Sequence, residues 1–320
     1  MIKIIFFGTP EFAVPSLRRF AGRDDIILQA VVTQPDAPKG RSLRITPSPV
    51  ALVAAELGLP VLKIDKFTDA SQVNQLRQYN VDCYVVVAYG AMLPLSLLAL
   101  PHRGALNLHP SLLPRYRGPS PIPSAILNGD AETGVSIMVL DAEMDHGPIC
   151  TQKKVALLPT DTAPALSDRL AQIGAGVFVE TLIDYVRGTI HPFPQDDARA
   201  TYTKQLTKED GRIDWTKTSD TIARQVRAYT PWPGSWTMLD YGKKPVILKI
   251  MNAVSYRGVT AMLPELMPLT GKLIQLRKNR YAFVCGNGTL LEVTVVQPTD
   301  RRIMPIDSFI RGHPWIVTTI

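Results

Sequence analysis

An α/β fold with a parallel-rich sheet, followed by a smaller domain of short strands, is what this 320-residue sequence predicts. Three observations carry that expectation. Through the first half, short apolar runs without polar alternation are each followed by a helical pattern, as in strands buried on both faces of a sheet. A Pro- and Asp-rich stretch, His191-Pro192-Phe193-Pro194-Gln195-Asp196-Asp197, then interrupts the pattern. Beyond Thr207 the apolar runs are broken by Gly, Asn and Pro with little helix between them, as in a small barrel or sandwich.

The elements follow in order. Ile2 to Phe7 reads as an apolar strand closed by Gly8-Thr9-Pro10, with a helix from Glu11 to Phe20. That turn lacks the GxGxxG spacing of a dinucleotide-binding loop, so such a site is not supported. Ile26 to Val32 is a second strand, Val50 to Leu57 a helix closed by Gly58, and Pro60 to Leu62 a short strand. Ser71 to Gln78 is helical, Cys83 to Val87 and Ala105 to Leu108 are strands, and Ala163 to Arg187 is one long helix. In the second part, Val246 to Ile250, Gly271 to Leu276, Tyr281 to Val284 and Leu290 to Val296 read as strands.

Hydrophobic residues make up 46% of the chain, enough for a sizeable core, and the length suggests two domains. No apolar run reaches the roughly 18 residues of a membrane span. The first strand begins at once, without the apolar core and cleavage site of a signal peptide, so a cytoplasmic protein is expected. Cys83, Cys150 and Cys285 are scattered and form no CxxC pair; buried thiols are expected rather than a zinc site or a disulfide framework. The net charge of +7 is uneven: residues 1–200 carry 18 Lys and Arg against 19 Asp and Glu, and residues 201–320 carry 17 against 9. The basic excess therefore lies in the C-terminal part, which suggests a polyanionic partner such as a nucleic acid there, or else a solubility bias.

Four segments could carry chemistry. Thr33 to Pro49 is long for a connection, and long loops are often functional. Its Lys39, Arg41 and Arg44 suit a phosphate backbone. In the extended run from Ala105, Asn107 and His109 are two apart and face one side. An amide donor beside an imidazole suits oxyanion stabilisation and proton transfer, although an isolated Asn-x-His is more often structural. Leu140 to Pro148 forms an acidic loop with Asp141, Glu143 and Asp145, and Asp145 is placed to orient His109. The Asp and Glu residues lack the spacing of a second ligand set, so no metal is expected. Finally, Tyr229, Trp232 and Trp236 could stack on bases or form a core corner.

Asn107-Leu-His-Pro-Ser-Leu-Leu-Pro-Arg-Tyr-Arg-Gly118 closely resembles the signature of formyltransferases that use 10-formyltetrahydrofolate. Phe7 to Ala13, Pro38-Lys39-Gly40-Arg41 through Pro47-Ser48-Pro49-Val50, Lys208 to Trp215 and Thr230 to Gly234 resemble, in order, further segments of the methionyl-tRNA formyltransferases within that family. The resemblance spans essentially the whole chain. It implies a Rossmann-like formyltransferase domain over residues 1–189, a linker over 190–206, and an OB-like β-barrel domain binding tRNA over 207–320. It implies 10-formyltetrahydrofolate as formyl donor, initiator methionyl-tRNA as acceptor, and a monomer. Asn107, His109 and Asp145 would be catalytic; Tyr89, Gly90, Leu93, Ser111, Leu112 and Asp141 would hold the folate; Lys39, Arg41, Arg44, Lys204 and Lys208 would contact tRNA.

This sequence departs from the family in places. Around the aspartate, where Gly-Leu-Asp-Thr-Gly is commonest, it has Glu143-Met144-Asp145-His146-Gly147, and Pro123 stands where glutamine is frequent. Thr299-Asp300-Arg301-Arg302 replaces a basic turn near the end. Two rival readings are a formyltransferase acting on an amino sugar nucleotide and an RNA-binding protein whose enzyme domain is a relic.

Overall fold

The computed structural model describes residues 1–39, 44–67, 69–239, 245–256 and 264–318. They form two compact units, one of residues 1–121, 132–156 and 166–203, the other of residues 122–131, 157–165 and 204–320.

The first unit is built on a seven-stranded sheet. In chain order its elements are β1 (Ile2–Gly8), α1 (Val14–Ala21), β2 (Ile26–Thr33), the hairpin β3 (Ala37–Lys39) and β4 (Arg44–Thr46), α2 (Pro49–Glu56), β5 (Val61–Lys63) and α3 (Ala70–Arg77). Then come β6 (Cys83–Val87), α4 (Leu95–Leu98), β7 (Ala105–His109), β8 (Glu132–Val139), β9 (Ile149–Ala156) and α6 (Ala163–Arg187), while α5 (Pro121–Asn128) falls almost wholly in the second unit. The strand order is β5-β2-β1-β6-β7-β8-β9. Every pairing from β5 to β7 is parallel, whereas β8 and β9 are antiparallel additions. The parallel-rich α/β fold expected from the sequence is thus observed.

Phe6 and Phe7 illustrate why the strands are uniformly apolar. Successive side chains leave opposite faces, and both rings are fully buried. Phe6 meets Phe20 of α1, which meets Phe178 of α6; Phe7 meets Phe67, Tyr84 and Tyr89. Burying each such side chain contributes roughly 1.5–3 kcal/mol, so helices on both faces leave no place for a polar alternate. Strand β9 was not legible in this way: its middle is polar, with Gln152, Lys153 and Lys154 exposed, as the edge of a sheet permits. The Glu11–Phe20 helix begins as a 3-10 turn at Glu11–Ala13, and Pro15 occupies the first turn of α1, where a missing N–H costs nothing.

The chain runs β1, β2, β5 outward in one direction and returns to place β6 beside β1. A ligand crevice opens at such a reversal, outside the carboxyl ends of the strands. Here those ends are tied together: Thr9 Oγ1 donates to the Tyr89 carbonyl at 2.8 Å and accepts from the Gln34 amide at 3.3 Å.

The second unit holds α7 (Ser219–Tyr229), β10 (Ser235–Leu239), β11 (Val246–Ser255), β12 (Leu273–Arg277), β13 (Arg280–Val284), β14 (Leu290–Pro298), β15 (Met304–Pro305), α8 (Ile306–Arg311) and β16 (Val317–Thr318). Its strands run β10-β11-β14-β13-β12-β16, with β15 on β14. Register shifts in β11 between Ile250 and Ala253 bend the strand, and the sheet is a curled half-barrel. That is the form the expected OB-like domain takes. Helix α7 is a difference from the sequence reading, which placed little helix here. It starts at a Thr218 cap and buries Ile222, Ala223 and Val226 in the core with Leu248, Phe283 and Val293, an i, i+4 spacing that the Gly- and Pro-rich surroundings obscured. The Tyr229-to-Trp236 stretch divides: Tyr229 and Trp236 are buried, whereas Trp232 is 60% exposed.

Candidate active site

Strand β7 ends the parallel part of the sheet, and it carries Asn107 and His109. In its pairing with β8, Asn107 stands opposite Met138 and His109 opposite Ser136. Leu108 between them points the other way and is 2% exposed, so the alternation that buries Leu108 puts Asn107 and His109 on a common side. The Asn107 side-chain amide has no protein hydrogen-bond partner among the described residues, which leaves its N–H groups available to an incoming oxygen.

His109 is 4% exposed and held at both nitrogens. Nε2 lies 2.9 Å from the Tyr116 carbonyl. A carbonyl only accepts, so Nε2 carries a hydrogen and Nδ1 is left as the nitrogen with a lone pair. Nδ1 lies 3.5 Å from Asp145 Oδ2, and that same oxygen accepts the Gly118 amide hydrogen at 2.7 Å. A proton taken up at Nδ1 would therefore sit beside a fixed carboxylate. Asp145 thus faces His109, and Asn107 lies on the same side of β7 as His109.

A cavity of about 630 Å³ lies outside the carboxyl ends of β2, β5 and β6, lined by Gln34, Asp65, Lys66, Phe67, Ala142 and the run Gly90 to Leu95. Phe67, Met92, Leu93 and Pro94 give it apolar walls, with Gln34, Asp65 and Lys66 as polar groups, a mixture suited to a flat heterocycle carrying an acidic tail. Ala142 belongs to the loop that bears Asp145, so the cavity and the acidic group share one segment.

The residues expected to hold a folate fall in different places. Gly90 and Leu93 line the cavity. Tyr89 lies beneath it, 2% exposed, with its hydroxyl donating to the Ile64 carbonyl. The Ser111 hydroxyl is fully buried and donates to the Arg115 carbonyl at 2.6 Å, so it serves the shape of the signature loop. Leu112 is half-buried outside the cavity lining. Asp141 accepts from the Glu143 amide and pairs with His146. Gln34, Lys66, Phe67 and Met92 were missed; they come from three separate connections, and only the strand order unites them.

Among the expected cationic contacts, β3 and β4 turn the long segment into a hairpin with Lys39 opposite Arg44. Arg44 is exposed, and Arg41 lies outside the described residues. Lys204 and Lys208 are exposed, and the Lys204 ammonium is hydrogen-bonded to Asp210, which holds the Asp210 carboxyl at about 2. The three cysteines are buried and free, and burial pushes the Cys150 and Cys285 thiols up to about 12.

The departure at position 146 has a clear role. His146 Nδ1 lies 2.7 Å from Asp141 Oδ2, and its Nε2 3.5 Å from Asp197 Oδ2. The hydrogen bond to Asp141 raises the affinity of the imidazole for its proton; desolvation opposes this, and the charges of Asp141, Glu143 and Asp197 add to the rise. The sign follows by linkage: a raised value means stability that is whole below the unfolded value of about 6.5 and is lost as pH rises through the folded value. The urea midpoint should therefore fall as pH rises from about 6.5 through the raised folded value, and His146→Thr should flatten that slope. An unchanged slope in the variant would remove the clamp.

A mainly parallel sheet that carries an amide and an imidazole on one strand, with a carboxylate facing the imidazole, has the make-up of an α/β enzyme. The formyl transferase family matches residues 2–182, and the formyl transferase C-terminal domain matches residues 205–314; the chain belongs to this family. Among curated relatives, a methionyl-tRNA formyltransferase of Roseiflexus sp. (strain RS-1) is 46% identical over 97% of this chain and 92% of its own. Another, from Listeria monocytogenes serotype 4a (strain HCC23), is 40% identical over 98% and 96%. Among solved structures, the sugar 3N-formyl transferase WlaRD matches with a TM-score of 0.65 at 18% identity, covering 94% of this chain and 99% of that one. At that identity the likeness is one of fold.

Proposed function

We propose that this protein moves a formyl group from 10-formyltetrahydrofolate to the amine of methionine carried by initiator tRNA. The observation that carries the reading is the free Asn107 amide on the strand whose His109 faces Asp145. The whole-length likeness to methionyl-tRNA formyltransferases supports the choice of substrates. In the reaction the neutral amine nitrogen bonds to the formyl carbon, the bond from that carbon to the folate nitrogen breaks, and one proton passes from the amine to the folate nitrogen. Asn107, with the Nδ1 edge of His109 when protonated, stabilises the charge that grows on the formyl oxygen. Asp145 holds His109 in place and steadies the imidazole as the proton passes. These donors suffice without a metal. Gly90 and Leu93, with the other cavity residues, form the folate site, and Tyr89, Ser111, Leu112 and Asp141 shape it.

Residues 1–189 would carry the chemistry and 207–320 the tRNA, joined by 190–206, in a monomeric cytoplasmic enzyme. Lys39, Arg41 and Arg44 of the hairpin segment, with Lys204 and Lys208, would meet phosphates. The test is incubation with 10-formyltetrahydrofolate and, in parallel, methionylated initiator tRNA, elongator methionyl-tRNA and an amino sugar nucleotide. Formylation confined to the initiator is the expected result; formylation of the sugar alone overturns the acceptor, and no product with any acceptor overturns the enzyme. Arg44→Ala should raise KM for tRNA and lower the salt slope of tRNA binding by about one, leaving KM for the folate unchanged. Equal effects on both substrates would remove the hairpin from tRNA binding.

A further inference from the structure

The stretch read from sequence as the start of a linker is stitched into the first unit. Phe193 pairs with Ile149 through both backbone hydrogen bonds, 2.8 and 3.0 Å. Further on, Thr201 donates to the Pro114 carbonyl and accepts from the Arg117 amide, and Thr203 donates to the Arg117 carbonyl. The Thr201 and Thr203 hydroxyls accept from the backbone of Tyr116 and Ser120. Residues 193–203 thus form a strap along the signature segment.

One side chain of the strap turns inward. Gln195 is half-buried while Pro194, Asp196 and Asp197 beside it are exposed. Its Nε2 donates to the carbonyls of Asp145, at 2.9 Å, and Gly147, at 2.8 Å. Its Oε1 accepts from Nε and Nη2 of Arg117 at 3.1 and 2.9 Å. Two carbonyls can only accept and a guanidinium can only donate, so the amide has one possible orientation, with all of its hydrogen-bonding capacity used. Arg117 is 1% exposed and is fixed further by Asp197 at 2.7 Å and the Tyr202 hydroxyl at 3.1 Å. Asp145 itself sits at φ +50, a left-handed conformation that is strained for a non-glycine residue and persists only when its surroundings over-determine it. The surroundings here are Gly118 on its carboxylate and Gln195 on its carbonyl.

We propose that Gln195 is a positioning residue for formyl transfer: by holding the Asp145 and Gly147 carbonyls against the Arg117-anchored strap, it keeps the Asp145 carboxylate facing His109. The inference rests on the role for Asp145 proposed above. Released from Gln195, the loop relaxes toward an ordinary backbone conformation and carries the carboxylate away from Nδ1; a misplacement of about 1 Å costs up to about 100-fold in rate.

Two variants test this. Gln195→Met keeps the length and loses every hydrogen bond. Gln195→Glu keeps an acceptor for Arg117, and so the strap, but loses both donors. Each should lower kcat by about 10- to 100-fold with KM for both substrates near that of the parent. The deciding measurement is the double-mutant cycle with Asp145→Ala. If Gln195 acts through Asp145, Gln195→Glu costs nothing further in the Asp145→Ala background, whereas a general loss of folded enzyme would multiply the two effects. Full kcat in a folded Gln195→Glu variant, or the same fold-loss in both backgrounds, overturns the inference. Full turnover of Asp145→Ala alone would instead overturn the catalytic reading beneath it.

Discussion

Asn107→Ala should lower kcat by about 100- to 1000-fold, the usual cost of removing one oxyanion donor, with little change in KM for either substrate. The expectation follows from position. Asn107 lies in the middle of a hydrogen-bonded strand, so its backbone is fixed by β6 and β8, and truncating the side chain leaves the sheet intact. Its amide has no protein partner among the described residues, so alanine strands no buried group and should not destabilise the fold. An interaction made only as charge develops on the formyl oxygen appears in kcat and not in binding. Asp145→Ala should also lose most of its turnover, by a different route: the loss of the carboxylate 3.5 Å from His109 Nδ1 and of the acceptor for Gly118. Near-full turnover in both variants, measured under saturating folate and tRNA, would sink the catalytic assignment.

Gly118→Ala should damage stability and activity together. Gly118 adopts φ +107, and a Cβ there would lie 2.7 Å from the Thr203 carbonyl oxygen and 2.9 Å from its Oγ1. The carbonyl belongs to the strap and cannot swing aside as a side-chain tip would. Backbone strain alone is worth about 1–3 kcal/mol, and any shift that relieves the clash moves the Gly118 amide away from Asp145 Oδ2. Both the urea midpoint and kcat should therefore fall. Gly188→Ala separates the causes: Gly188 is also left-handed, at φ +78, but a Cβ there meets nothing within 4 Å. That variant should lose stability with kcat unchanged. If Gly118→Ala behaved like Gly188→Ala, the Gly118 contact with Asp145 would have no part in catalysis.

Sequence and structure agree best where the physics is local. Cys83–Val87 and Ala163–Arg187 have the same bounds in both, because a fully apolar five-residue run between turn residues, and a long segment with helical periodicity, leave few alternatives. Agreement weakens where burial is one-sided or the element is short. Strand β9 reads as polar because one of its faces is exposed, and helix α7 lies among strand signals. At the site, Asn107 and His109 were legible because the two-residue period of a strand guarantees a shared side. Gln195 was not: a glutamine between proline and aspartates has the composition of a linker, and no local pattern distinguishes a residue that turns inward from its exposed neighbours.

The amino-acid sequence by itself determined the α/β class, the order of its main strands and helices, the basic bias of the C-terminal part, and the candidate segments for chemistry. Each of these depends on interactions within a turn or a strand, or on a sum of charges. Only the tertiary structure decided which nitrogen of His109 meets Tyr116 and which faces Asp145, that Gly118 and Gln195 hydrogen-bond to Asp145, and that Gln34, Lys66, Phe67 and Met92 share one cavity. These depend on contacts between residues distant in the chain, 78 positions apart for Arg117 with Gln195. The strand order and the strap bring such residues together, and neither is encoded in any local spacing.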